Sequence, residues 1–132
     1  MTSTDTTTAS KTIMIVDDEP DICLIFKKSL ELAGYDVLAF TEPLLAPEHF
    51  KSNADRCGLI VSDVRMHRMN GIELAARIRK LHASIPIMLM SFFELATLDV
   101  APALNVTRFL EKPLAPSQLK EAVSKHVQIP AK

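Results

Sequence analysis

Cysteine is scarce in this chain, and the two that occur, Cys23 and Cys57, stand far apart and outside any CxxC pair. That disfavours a disulfide framework or a zinc site, and buried thiols in a reducing compartment are expected instead. No apolar run approaches the ~20 residues that a membrane-spanning helix needs. The Thr/Ser-rich start also lacks the hydrophobic core of a signal peptide. An excess of charge of one sign is missing too: 15 basic and 16 acidic side chains nearly cancel, so the field of the whole molecule attracts neither nucleic acid nor a strongly acidic substrate. The expectation is a cytoplasmic protein whose charge chemistry is local.

The 132 residues, 48% of them hydrophobic, suit one compact domain whose folding removes roughly two thirds of the extended chain's surface from water. Residues 1–11 are polar and without apolar periodicity, which predicts a disordered N-terminal arm. The domain is expected over 12–127, followed by a short tail, 128–132. Within it, short unbroken apolar runs at 13–16, 59–61, 87–90 and 109–110, with 35–40 as a further strand, alternate with amphipathic stretches. Runs of this kind suit strands buried on both faces. Helices are predicted from Pro20, which fits a first turn, to a stop at Gly34, and again over 71–82 and 116–127. Two more patterns, 42–53 and 93–104, are helical but interrupted by Pro47 and Pro102. Strict alternation of strand and helix implies a doubly wound, five-stranded parallel sheet with five helices, because each right-handed crossover must return over the sheet.

In such sheets functional groups collect at the carboxyl edge. There the sequence sets Asp17 and Asp18 after the first strand, Asp63 after the third, Ser91 after the fourth and Lys112 after the fifth. Three carboxylates brought close repel one another, so their joint ionisation is costly unless a cation neutralises them. Mg²⁺ suits them, being hard, oxygen-seeking and commonly held by one or two carboxylates plus a phosphate. Lys112 adds a compact ammonium and Ser91 a hydroxyl donor. A carboxylate can itself be the nucleophile, forming an aspartyl phosphate, when metal and cation offset the charge of transfer. Taken singly, each signal has a bland reading: an acidic pair is more often a solvated turn, Ser91 a strand-end hydroxyl, Lys112 a surface lysine. Their joint placement decides for a site. His49, His82 and His126 read as helix-surface residues, and Met14, Met66, Met69, Met88 and Met90 as core fillers.

The segments Ile15-Val16-Asp17-Asp18-Glu19-Pro20, Asp63-Val64-Arg65-Met66 leading to Met69-Asn70-Gly71, Pro86-Ile87-Met88-Leu89-Met90-Ser91 and Phe109-Leu110-Glu111-Lys112-Pro113 resemble the receiver domain of two-component response regulators. The likeness is to its single-domain, chemotaxis-regulator-like form, and it runs over 12–127. It implies a flavodoxin-like fold with Asp63 as phosphoacceptor and Mg²⁺ held by Asp17, Asp18, Asp63 and the backbone carbonyl of Arg65. It further implies Ser91 and Phe109 as a switch pair, Lys112 as the phosphoryl-contacting lysine, and a histidine kinase or phosphotransfer protein as donor. Such a protein is a phosphoacceptor rather than an enzyme, with self-dephosphorylation the one reaction left to it.

The sequence departs from that family's pattern in three places. His67 stands where proline is usual, which loosens the loop after Asp63. Phe92 replaces a small residue after Ser91 and, with Phe93 beside it, is expected to narrow the path to Asp63. Ala103-Leu104-Asn105-Val106 replaces a Gly-Ala pair. After Pro113 only 132 − 113 = 19 residues remain, too few for an output domain of about 50 residues. Output is therefore expected by protein contact, through the face that the resemblance assigns to the fourth helix, fifth strand and fifth helix, without direct contact to nucleic acid or membrane. Two alternatives stand beside this reading. A haloacid-dehalogenase-type phosphatase also forms an aspartyl phosphate, yet it carries an aspartate two residues after the nucleophile, where this chain has Arg65 and so no acid for the leaving group. A receiver-like module that binds without being phosphorylated is kept open by Phe92. Finally, Lys112–Pro113 is predicted to be cis, because the turn must aim Lys112 back at Asp63.

Overall fold

The computed structural model describes residues 11–92 and 102–128. Most of the expected arm, Phe93, most of the helix predicted at 93–104, and the end of the tail lie outside the described residues. Five strands, β1 (Thr12–Val16), β2 (Asp36–Phe40), β3 (Cys57–Asp63), β4 (Ile87–Ser91) and β5 (Arg108–Glu111), form one parallel sheet in the order β2-β1-β3-β4-β5. Four α-helices are described: α1 (Pro20–Leu32), α2 (Leu45–Asn53), α3 (Gly71–Leu81) and α4 (Pro116–Ser124). The part of 93–104 that is described, Pro102–Leu104, is a single 3₁₀ turn.

The apolar runs are continuous because both faces of the sheet are covered and successive side chains point to opposite sides. Ile13, Ile15, Leu59, Val61, Met88 and Met90 face α1 and α4, packing against Phe26, Leu30, Leu119 and Val123. Their neighbours Met14, Val16, Ile60, Ile87 and Leu89 face α2 and α3, against Phe50, Leu74 and Ile78. Pro20 opens α1 at a position whose N–H has no intrahelical partner. Gly34 closes it in the left-handed region (φ 105°), with Gly34 N–H donating to Glu31 O and Tyr35 N–H to Leu30 O.

Chain order reverses between β1 and β3: β2 lies to one side of β1, while β4 and β5 follow on the other side of β3. Such a switch point leaves a crevice beyond the strand ends. Asp17 directly follows β1 and Asp63 ends β3, so two carboxylates flank that crevice.

Candidate functional site: an acidic pocket at the carboxyl edge

Asp17, Asp18 and Asp63 each bring a carboxylate oxygen to within 4.8 Å of the others, a grouping that could hold a metal ion. Asp17 is fully buried. Its N–H donates to Phe40 O, and its Oδ1 accepts from Glu19 N–H, each at 3.0 Å. Its Oδ2 is buried with no hydrogen-bond partner among the described residues, and Lys112 Nζ stands 3.8 Å away. Burial pushes the Asp17 carboxyl up to about 6; the Glu19 N–H opposes the shift, and the charge of Asp63 adds to it. Asp63 is raised as well, again chiefly by burial and against the pull of Lys112. Two anions held at this cost are a demand for positive charge.

Lys112 answers part of that demand. Its side chain is nearly buried, and Nζ lies 3.3 Å from Asp63 Oδ2. The Lys112–Pro113 bond is cis, as the sequence predicts. Lys112 N–H donates to Ser91 O at 2.6 Å, fastening the loop after β5 to the end of β4. Ser91 Oγ is buried and, like Asp17 Oδ2, has no hydrogen-bond partner among the described residues. Asp18, Glu19, Asp63, Arg65, Ser91, Phe92 and Lys112 line a cavity of ≈ 370 Å³. A second cavity, also of ≈ 370 Å³, lies beside β2, but none of these groups borders it.

Phe92 is about half exposed, and its ring stands 5.6 Å from Lys112 Nζ. It has not turned into the core; it forms one wall of the pocket. Phe109 is not brought into the pocket: it is exposed on β5, opposite Leu89 in the register. His67 lies outside the cavity lining, yet its N–H donates to Asp18 Oδ2 at 3.0 Å and its Nδ1 lies 2.6 Å from the same oxygen.

Sequence reasoning left Gly71 without a role. A Cβ there would collide with Asp63 O and crowd Val64 Cα, and Gly71 N–H donates to Val64 O at 2.8 Å. The first turn of α3 is thus pressed against the backbone that carries Asp63, and only glycine allows that approach. Asn70 and Glu73 cap each other's backbone N–H groups at that helix start. His82 is more than a helix-surface residue: Nδ1 accepts from Ser84 N–H and Ile85 N–H, turning the chain toward β4. Both thiols are buried and pushed up to about 11 by burial, inert packing groups rather than ligands.

A model of the response regulator receiver domain matches residues 13–124. Among curated proteins, the chain is similar to the phosphoglycerate transport system transcriptional regulatory protein PgtA of Salmonella typhimurium. The two are 34% identical over 112 residues, which cover 81% of this chain and 26% of that protein. The chain spans between 25% and 47% of the first curated relatives that it matches. A receiver domain protein from Clostridium thermocellum shares the fold, with a TM-score of 0.79 at 22% identity, covering 86% of this chain and 91% of that one. The response regulator TrrA of Thermotoga maritima, crystallised in complex with Mg²⁺ and BeF, has a TM-score of 0.76 at 29% identity, covering 87% and 97%.

Proposed function

The chain belongs to the response regulator receiver domain family, and from that premise we propose that Asp63 is its phosphoacceptor, with Asp17, Asp18, Asp63 and the Arg65 carbonyl holding Mg²⁺. Members of the family are phosphoryl-receiver switches, loaded by histidine kinases or phosphotransfer proteins. The observation that carries the assignment is the meeting of Asp63 Oδ2 with Lys112 Nζ at 3.3 Å inside a cluster of three carboxylates.

The residues fit a hard divalent cation. Their donors are carboxylate oxygens and one carbonyl; one carboxylate oxygen is buried with no hydrogen-bond partner among the described residues, and two of the carboxyls are held above their ordinary range by burial. Bound Mg²⁺ would supply positive charge against the anionic donor and the group in transit. The rest is the work of this chain's side chains. A carboxylate oxygen of Asp63 attacks the phosphorus of a phosphohistidine; an O–P bond forms, the N–P bond breaks, and the imidazole leaves with the electron pair. Lys112 then moves its ammonium from the carboxylate to a phosphoryl oxygen, and the unpartnered Ser91 hydroxyl donates to another. Phe109 is assigned as the partner of Ser91 in the switch. Phe92, His67 and Phe93 are assigned as modulators of the pocket. Arg65 occupies the place where a phosphatase of the aspartyl-phosphate type carries its acid, so a water delivered to the acyl phosphate can only reset the switch.

The same reading takes 12–127 as the receiver unit, flanked by an arm at 1–11 and a tail at 128–132, acting in the cytoplasm. No described helix is long and apolar enough to cross a membrane. Its output is contact with a protein partner through β5, α4 and the segment before β5. The test is intact-mass analysis after incubation with a small phosphodonor and Mg²⁺. A single added phosphoryl group, lost in Asp63→Asn and on chelation, is expected; labelling indifferent to both would remove the assignment.

A further inference from the structure

Asp18 is gripped by a residue 49 positions away in sequence. Both donors come from His67, and both reach the same oxygen, Oδ2: the backbone N–H at 3.0 Å and ring Nδ1 at 2.6 Å. A carboxylate oxygen accepts, so Nδ1 is the nitrogen that carries the hydrogen and donates. The loop is pinned around this contact. Met69 N–H donates to His67 O at 2.8 Å, and Arg68, in the left-handed region at φ 72°, sends its guanidinium the other way, 3.5 Å from Glu42.

His67 is absent from the cavity lining, while Asp18 is part of it. The imidazole therefore neither blocks the pocket nor joins the three-carboxylate cluster, whose members among the described residues are Asp17, Asp18 and Asp63. What remains for it is orientation. The terminal torsion of an aspartate is broad and soft, so an unheld Asp18 would spread its oxygens over many directions. Carboxylates that ligate metals are commonly hydrogen-bonded in turn by outer-shell groups. We propose that His67 is a positioning residue for the cation site: it commits Oδ2 of Asp18 to the protein and leaves Oδ1 presented to the ion. The inference rests on the reading of Asp18 as a Mg²⁺ ligand. The departure from proline at this position is then a gain in function, since proline has no N–H and no ring donor.

The test is calorimetric titration of Mg²⁺ into the unphosphorylated chain and three variants. His67→Ala, which keeps the backbone N–H but loses the ring donor, is expected to raise the dissociation constant about 5- to 10-fold, at or below the low end of the usual outer-shell effect. His67→Asn, whose amide nitrogen stands near the place of Nδ1, should stay within about twofold of the natural chain. His67→Phe, which keeps a ring without the donor, should bind as weakly as the alanine variant. Equal affinity in His67→Ala, or natural affinity in His67→Phe, overturns the positioning role while leaving the metal site standing. If the natural chain takes up no Mg²⁺ at all, the metal assignment and this inference fall together.

Discussion

Lys112 Nζ, on the loop behind an edge strand, lies 3.3 Å from Asp63 Oδ2 at the end of a central one. The ammonium also stands 3.8 Å from Asp17 Oδ2, so one cation is shared between carboxylates of adjacent strands. Replacing it by Met keeps the stem and removes the charge. Lys112→Met should slow phosphorylation by a small donor roughly tenfold or more, since a preorganised charge facing the reacting group is lost. Intact-mass time courses measure this, and an unchanged rate would show that the ammonium has no part in transfer.

The Asp17 carboxyl, held up at about 6 mainly by burial, makes the metal-free protein's stability depend on pH. Its unfolded value is near 3.9. A raised folded pKa contributes stability that is complete below the unfolded value and is lost as pH rises through the folded one, here up to about 3 kcal/mol. Asp63 shifts in the same direction. Without divalent cations the melting temperature should therefore be higher at pH 5 than at pH 7.5, and Mg²⁺ should restore it at pH 7.5 by binding the folded state. Thermal unfolding followed by circular dichroism decides it; a flat profile would count against this account of Asp17.

The Phe92 ring borders the cavity instead of packing inward, a placement expected to narrow the approach to Asp63. Phe92→Ala should speed both phosphorylation by a small donor and loss of the phosphoryl group. If neither rate rises, the ring serves packing or partner recognition instead.

Gly71→Ala should cost roughly 1–3 kcal/mol by overpacking, because the new Cβ meets Asp63 O and Val64 Cα, backbone atoms that cannot swing aside. Denaturant unfolding measures the loss. The same displacement should lower the yield of phosphorylation, so a variant of natural stability and natural yield would contradict the close approach.

The strands and their order along the chain were legible because β1, β3 and β4 are buried on both faces, which leaves unbroken apolar runs, and because polar residues end them. The start of α2 was not: Glu42 lies outside the helix, and its Oε2 accepts from Leu44 N–H, a local bond that competes with helix formation. Pro47 is tolerated because it falls in the first turn, where backbone N–H groups have no helical partner. The final helix stops at Ser124 although its apolar period continues to Val127, which still reaches the core. In the site, the side chains at strand ends could be named from the alternation alone. The grip of His67 on Asp18 could not, since no local pattern marks a contact across 49 residues. Nor could the space required at Gly71, which depends on how α3 docks.

The strand order gives the pocket two jaws of unequal stiffness. β1 and β3 are each paired on both sides, whereas β5 pairs only with β4 among the described residues. Asp17 and Asp63 belong to the stiff jaw; Lys112 hangs from the loose one, tethered by its own N–H to Ser91 O. A bulky anion wedged between them is expected to displace the outer jaw first, so that an event at the centre of the sheet would be read at its rim.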